Sequence, residues 1–291
     1  MFFALRGWMR RRCGRRGRVC RGCDGIGRMD HQSEAAYIRS VCVEFLGEHL
    51  GSQLAALARP GFGLSPAGES RPAAGRSRLG GAALLDPGTP WPYSDELPLS
   101  LYAVLDTDEL APWLGDELPV RPGLLNFFLD DFENCRVIPA DPASAVELRS
   151  PNDQAFATVP LHAKPGLSLP DMWWGGALED LIEGFGLDPG PDLTSICDPE
   201  ESVTSLFAGD DSPGGYYPGA IDVDQAFGWP LWIAPGDPLP DLRGEYTHLL
   251  HLSSNLGEWE FPKGGSLNFL IPRQALRDGD YSQAFVALDV G

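Results

Sequence analysis

Gly123–Leu129 reads GLLNFFL, and Gly265–Ile271 reads GSLNFLI 142 residues later. An apolar run precedes each copy: Leu99–Asp106 (LSLYAVLD) comes before the first and Tyr246–Ser253 (YTHLLHLS) before the second. A strand–connection–strand unit that returns at a long period indicates a duplicated architecture. The sequence therefore predicts two related sheet units in one chain.

The composition favours a loop-rich globular fold over disorder. The 35 glycines and 27 prolines predict short strands and many turns, whereas 43% hydrophobic residues and eight tryptophans supply a sizeable core. We expect an α+β fold with duplicated, mostly antiparallel sheet units, at about 76–150 and 215–291, and a few short helices.

An N-terminal amphipathic helix is predicted over residues 33–58, because apolar residues recur there at steps of three and four. These residues are Ile38, Val41, Cys42, Phe45, Leu46, Leu50, Leu54 and Leu57. The stretch Pro60–Arg76 is rich in Gly, Ser, Pro and Ala, and we interpret it as a linker or surface loop. Residues 29–75 are thus expected to be helix and linker, and 76–291 the main domain. A further helix is predicted to begin after Asp198.

Charge is divided unevenly along the chain. Residues 1–28 hold nine arginines and one acid, so they carry +8 of a net charge of −19 and the remaining residues carry −27. We expect residues 1–28 to be a disordered basic leader or upstream read-through, with Met29 as the biological start. The acidic body argues against nucleic-acid binding. Its charge is either an ordinary solvated surface or a field directed at a basic partner.

Cysteine usage and hydropathy bear on the compartment. Three of the six cysteines lie in the leader and three are scattered through the body, which does not resemble a disulfide framework. Cys20 and Cys23 have the spacing of half a zinc site, but no second pair follows. No run approaches the ~18 apolar residues of a membrane span. We expect a cytoplasmic protein with no metal, no cofactor and no membrane partner.

The familiar catalytic signatures are absent from the sequence: it has no G-x-S-x-G, no phosphate-binding glycine loop and no H-E-x-x-H. An enzyme with dispersed residues stays open. His248 and His251 are the closest histidine pair, and residues three apart in a strand are predicted to face opposite ways, one buried and one exposed. Arg78, beside Gly80 and Gly81, either fixes an anion or pairs with a local acid.

A series of motifs resembles the YwqG-like family. They are Ser77–Gly81 (SRLGG), Pro87–Pro92 (PGTPWP), the two strand copies with their apolar runs, and Gln225–Pro230 (QAFGWP). The resemblance covers about Arg76 to Gly291 and rests on the order and spacing of the motifs more than on any single one.

The resemblance implies a bacterial family of unknown function with an α+β fold of duplicated sheet units. Some members resemble components of polymorphic-toxin neighbourhoods, which implies an immunity or interaction role. Family members carry glutamine in both apolar runs, where this chain has Val104 and His251. A polar site formed by those glutamines would be degraded here.

Two functions from different classes follow. The leading hypothesis is a non-enzymatic cytoplasmic module that binds a protein, of basic character, in an immunity-like role. The competing hypothesis is an enzyme or small-ligand binder with a cleft between the two sheet units. The residues expected to line that cleft are Arg78, Trp91, Asp106, His251 and Trp259. A structural protein with no defined ligand is a third reading, and the oligomeric state is left open.

Overall fold

A large, nearly closed antiparallel sheet carries the fold. The computed structural model describes residues 31–130, 134–151, 155–170, 178–190, 224–232 and 245–290. The expectations for the leader and for a helix after Asp198 lie outside these residues. Within them the strands are β1 (Arg59–Pro66), β2 (Arg78–Leu79), β3 (Ala83–Leu85), β4 (Tyr93–Ser94), β5 (Leu97–Pro98), β6 (Ser100–Asp106), β7 (Leu124–Leu129), β8 (Cys135–Ala140), β9 (Val146–Leu148), β10 (Val159–Ser168), β11 (Gln225–Phe227), β12 (Tyr246–Ser253), β13 (Ser266–Pro272) and β14 (Phe285–Asp289).

Four α-helices and three short 3-10 helices accompany the described strands, which makes the fold α+β. The α-helices are α1 (His31–Ala55), α2 (Thr107–Leu114), α3 (Leu178–Phe185) and α4 (Arg273–Asp278). The 3-10 helices are Gly115–Glu117, Pro262–Gly264 and Tyr281–Gln283.

Ten strands form the main sheet in the order β14-β13-β12-β11-β1-β10-β2-β6-β7-β8. All neighbouring strands in it run antiparallel. We call β10, β2, β6, β7 and β8 the first half, and β1, β11, β12, β13 and β14 the second half. The halves meet where β1 pairs with β10 over eight residue pairs, from Arg59 opposite Ser168 to Pro66 opposite Leu161.

The main hairpins of the two halves share a local irregularity. In the first half, the β6–β7 register shifts at Tyr102, so that Leu101 and Ala103 face consecutive residues of β7. In the second half, the β12–β13 register shifts at Leu249 in the same way. One extra residue in one strand of a pair is a β-bulge, which bends the strand and increases its twist.

The sheet curls until its two edge strands approach one another. Cys135 at the start of β8 lies near β14, and its sulfur is 3.4 Å from the carbonyl oxygen of Ala284. Inside the curl, Phe127 of β7 meets Phe269 of β13 edge-on, with ring centroids 5.2 Å apart. Both rings are fully buried in the largest apolar cluster, which draws on both halves. The repeated segments therefore contact each other through the core.

Helix α1 covers one region of the sheet. Its buried side chains pack against Leu167 and Leu169, and the apolar ones are Ile38, Cys42, Leu46, Leu50 and Leu54. The helix is interrupted at Gly47, whose φ of 76° is open mainly to glycine. Helix α1 thus consists of two helical segments, and it ends at Ala55, before Leu57 and the predicted end at residue 58.

The interpretation of Pro60–Arg76 as a linker was wrong for its first part. Residues Arg59–Pro66 form β1, which lies in the centre of the sheet and pairs on both sides. Phe62 and Leu64 point into the core and alternate with Gly61 and Gly63, so the strand has an apolar face despite its glycines and prolines.

Candidate functional site

Each half carries a row of three neighbouring residues across its strands. In the first half, Val104 of β6 lies between Arg78 of β2 and Asn126 of β7. In the second half, the row consists of Gln225, His251 and Asn268, from β11, β12 and β13. Both rows lie on the face opposite the closed core, which we call the outer face. The rows contain Arg78 and His251, two of the residues expected to bind a ligand.

The two polar side chains of the first row, Arg78 and Asn126, form hydrogen bonds with backbone groups. Arg78 donates a hydrogen bond from Nη2 to the carbonyl of Ala82. Asn126 accepts from the Leu84 amide at 2.8 Å and donates to the carbonyls of Leu84 at 2.7 Å and Ile138 at 3.1 Å. Burial lowers the pKa of Arg78, and Glu147 partly offsets this. The buried Asn126 thus pairs with β3 as a neighbouring strand would.

The second row makes similar contacts, but one of its acceptors has no partner in the part of the chain that the structure describes. Gln225 donates from Nε2 to the carbonyl of Trp229, four residues on, just as Arg78 donates to a carbonyl four residues on. Asn268 donates to the carbonyl of Leu231 at 3.0 Å. Its Oδ1 is buried without a hydrogen-bond partner among the described residues. Buried polar atoms nearly always have partners, so this atom marks the second half as incompletely satisfied.

The histidines correct the sequence-based expectation. His248 lies opposite Leu270, and His251 lies opposite Asn268, so the bulge at Leu249 brings both histidines to the outer face. Their exposed fractions are 0% and 1%. The expectation of opposite faces with one exposed ring was wrong, because strict alternation does not hold across a bulge.

His248 is held as a neutral imidazole. Its Nδ1 lies 3.0 Å from the carbonyl oxygen of Phe227 and donates to it. Burial is the main cause that lowers its pKa to about 4, with the nearby Arg59 acting in the same direction. Nε2 has no hydrogen-bond partner in the described part of the chain.

Asp106 fastens a loop at the end of β6. Its Oδ2 accepts from the Arg76 amide at 3.0 Å, and its own amide donates to Ser77 Oγ at 2.9 Å. In the second half the Ser253 amide donates to Asp224 Oδ1 at 2.6 Å. The serine and the acid have exchanged positions between the halves.

The two tryptophans expected at a ligand site lie in different clusters. Trp91 packs edge-on against Phe128 at 5.1 Å on the outer face of the first half, and its Nε1 donates to the carbonyl of Leu99 at 2.9 Å. Trp259 lies in the central core, 5.0 Å from the Tyr102 ring. The five expected lining residues are therefore distributed over several places, and the β1–β10 pairing joins the halves where a cleft was expected.

A group that the sequence did not suggest lies near Arg59, the first residue of β1. The Arg59 guanidinium carbon is 3.3 Å from the centre of the Trp229 ring. The pKa of Arg59 is lowered to about 10, mainly by burial and secondly by repulsion from Arg273. Glu117 and Tyr246 act in the opposite direction and raise it. Arg59 and Arg273 are 214 positions apart, so no local motif could have paired them.

A two-stranded hairpin outside the main sheet exposes two large apolar side chains. Strands β4 and β5 pair Tyr93 with Pro98 and Ser94 with Leu97. Tyr93 is 49% exposed and Leu97 is 72% exposed. Asp95 and Glu96 form the turn between them, and both are exposed.

Comparison with known proteins identifies the family. Residues 77–290 match the family described as a domain of unknown function (DUF1963), and the chain belongs to it. No curated protein matches the chain. None of the helices in the described ranges has the length and apolar character needed to cross a membrane. Among those residues, no three His, Cys, Asp or Glu side chains are grouped so as to hold a metal ion.

Proposed function

We propose that this member of the DUF1963 family is a non-enzymatic, cytoplasmic binding module that holds a basic protein through its β4–β5 hairpin. The observation that carries the proposal is the exposure of Tyr93 and Leu97 on so short a hairpin. The register places Tyr93 and Leu97 on opposite faces of the hairpin, so the tip presents an apolar side chain on each face. Aromatic side chains are enriched at protein interfaces.

The hairpin is fixed at its base, which favours binding. The Leu99 amide donates to the carbonyl of Pro92 at 3.0 Å, and the Trp91 indole donates to the carbonyl of Leu99. Because Trp91 is buried against Phe128, it anchors the hairpin on the outer face of the first half. A binding element that is ordered before its partner arrives loses less conformational entropy on association.

Charge selects the kind of partner. The hairpin turn presents Asp95 and Glu96, and residues 29–291 together carry −27. Such a surface attracts a basic protein and speeds its association at low ionic strength. Some members of the YwqG-like family, which this chain resembles, are similar to components of polymorphic-toxin neighbourhoods, and this favours a basic toxin as partner.

We also propose that the architecture arose by duplication of one sheet unit. Several pairs of residues with the same role are separated by 147 positions: Ser77 and Asp224, Arg78 and Gln225, Ala82 and Trp229, Leu84 and Leu231. The bulges at Tyr102 and Leu249 have the same separation. One ancestral unit accounts for these correspondences more simply than two independent origins.

Site-specific photocrosslinking tests the binding function. A photoreactive phenylalanine analogue at Leu97 is expected to capture a basic protein in the native host. The same analogue at Val146, which is 50% exposed on β9, serves as the control. The captured partner should bind a Leu97→Asp variant at least tenfold more weakly, and a Val146→Asp variant unchanged. Capture of the same proteins from both positions, or of none from Leu97, would refute the proposed surface.

A further inference from the structure

We propose that the β4–β5 hairpin is a wedge that enters a cleft in its protein partner, and that this cleft has two apolar walls and a basic floor. The inference rests on the proposed function and adds the shape and chemistry of the surface that the partner must offer. The hairpin forms a two-stranded sheet of its own, outside the ten-stranded sheet. It pairs Tyr93 with Pro98 and Ser94 with Leu97.

Both faces of the hairpin carry an exposed apolar side chain. Residues directly opposite each other in an antiparallel pair point to the same face, and neighbours along a strand point to opposite faces. Tyr93 and Pro98 therefore share one face, and Leu97 lies with Ser94 on the other. Tyr93 is 49% exposed and Leu97 is 72% exposed, so both faces are accessible to a partner.

A partner with a flat surface would cover only one of these faces. The large apolar side chain on the other face would stay in water, and its burial would contribute nothing to binding. A cleft covers both faces at once and buries both side chains. Insertion into a cleft also suits a hairpin that is fixed at its base, where the Trp91 indole donates to the Leu99 carbonyl at 2.9 Å.

The tip of the wedge is acidic. Asp95 and Glu96 form the two-residue turn, and both are exposed. Asp95 has a φ of 53°, a backbone conformation that glycine adopts without steric cost and that aspartate adopts less readily. The chain thus holds a carboxylate where glycine would be the easier residue. Lysine or arginine side chains on the floor of the cleft would pair with these two charges.

Charge argues against a second copy of this chain as the partner. Residues 29–291 carry −27, so two copies repel each other, whereas a basic protein is attracted. The ion pairs of the described residues all involve α1. Neither carboxylate at the hairpin tip is therefore paired with a cation among those residues, and both are available to a basic partner.

Photocrosslinking from both faces tests the wedge. A photoreactive phenylalanine analogue is placed at Tyr93 in one full-length variant and at Leu97 in another. The control position is Tyr37, an aromatic residue on α1 that is 38% exposed. We expect Tyr93 and Leu97 to capture the same basic protein through two different segments, which face each other across a cleft in its structure. The Tyr37 position should not capture it.

The outcomes separate this inference from the proposed function. Capture from Leu97 without capture from Tyr93 would indicate a flat contact, as would reaction of both positions with one segment of the partner. Either result overturns the wedge and leaves the proposed function standing. Without capture from Leu97, both fail. Crosslinks to a second copy of this chain would overturn both as well.

Affinity measurements with the captured protein, identified and purified, test the two walls. Tyr93→Asp and Leu97→Asp should each weaken binding about tenfold or more, because each places a charge against an apolar wall. Tyr37→Asp is the matched control and should leave the affinity unchanged. Circular dichroism verifies that each variant is folded. An unchanged affinity in Tyr93→Asp would overturn the two-walled cleft.

Salt dependence tests the basic floor. The double variant Asp95→Asn, Glu96→Gln removes both charges, and asparagine tolerates a positive φ, so the turn is retained. Its association with the captured protein should be about threefold slower or more at low ionic strength and should match the wild type at high ionic strength. An association rate equal to that of the wild type at low ionic strength would overturn the basic floor.

Discussion

Replacing each of the two matching asparagines by alanine should destabilise the protein unequally. Asn126 and Asn268 are both fully buried and occupy corresponding positions in β7 and β13. Asn126 makes three hydrogen bonds to backbone groups, whereas Asn268 makes one to the described residues and leaves its Oδ1 unsatisfied.

The magnitude follows from the number of bonds lost. A hydrogen bond contributes about 1 kcal/mol net, and a buried group left without its partner adds to the cost. Asn126→Ala should therefore lower the free energy of unfolding by about 3 kcal/mol. Asn268→Ala should lower it by about 1 kcal/mol, because only the Leu231 carbonyl loses a partner. Side-chain volume and burial are equal at the two positions, so the difference isolates the polar contacts.

Urea unfolding measures the two changes, with ΔG extrapolated to water and the m-values compared. Asn134→Ala is the control, because the Asn134 side chain is exposed and its hydrogen bond within the described ranges goes to Asp130. It should cost less than about 0.5 kcal/mol. Equal costs at Asn126 and Asn268, or a larger cost at Asn268, would refute the reasoning that Asn126 holds β3 to the sheet.

Three further predictions concern Glu34, Gly75 and two buried cysteines. Burial raises the pKa of Glu34 from 4.5 to about 7. The contribution of Glu34 to wild-type stability should therefore fall as pH rises from about 4.5 to 7. The Glu34→Gln variant should lack this fall and should be about 2 kcal/mol more stable than the wild type at pH 8. Identical pH profiles in thermal melts would contradict this. Gly75→Ala should lower the free energy of unfolding in urea by about 1–2 kcal/mol, because the φ of Gly75 is +55° and the new Cβ would lie 2.3 Å from Asp106 Oδ2. An unchanged urea midpoint would disprove this contact. Burial raises the pKa of the Cys42 thiol to about 12 and that of Cys135 to about 11, so iodoacetamide at pH 8 should label them only after unfolding; mass spectrometry that finds native-state labelling would argue against their burial.

Continuous apolar runs made the main hairpins recognisable in the sequence. Strands β6, β7 and β12 fall within the predicted segments, and β13 extends one residue beyond its segment, to Pro272. These strands are buried on both faces and so need no polar alternation. Strand β1 was missed, since the glycines beside Phe62 and Leu64 resemble a loop in composition. Its strand conformation depends on pairing with β10 and β11, which are distant in the chain.

The candidate sites depended still more on tertiary structure. His248 and His251 share a face because of a one-residue bulge at Leu249, and the residue types there do not predict a bulge. The proximity of Arg59 to Trp229 follows from the pairing of β1 with β11. Arg78 was expected to fix an anion or to pair with a local acid, yet its guanidinium donates a hydrogen bond to the Ala82 carbonyl. Residue types suggested which groups carry chemistry, but the sheet order determined which of them meet.

The central claim is that β1 and β10 fuse two sheet halves into one cooperative body. Native-state hydrogen exchange tests it most directly. The Leu64 amide of β1, which donates to the carbonyl of Asp224, should exchange only through global unfolding, with the same free energy as amides in β7 and β13. If β1 and β10 exchange at the rate of a flexible linker, or if the halves open at different free energies, the claim is contradicted.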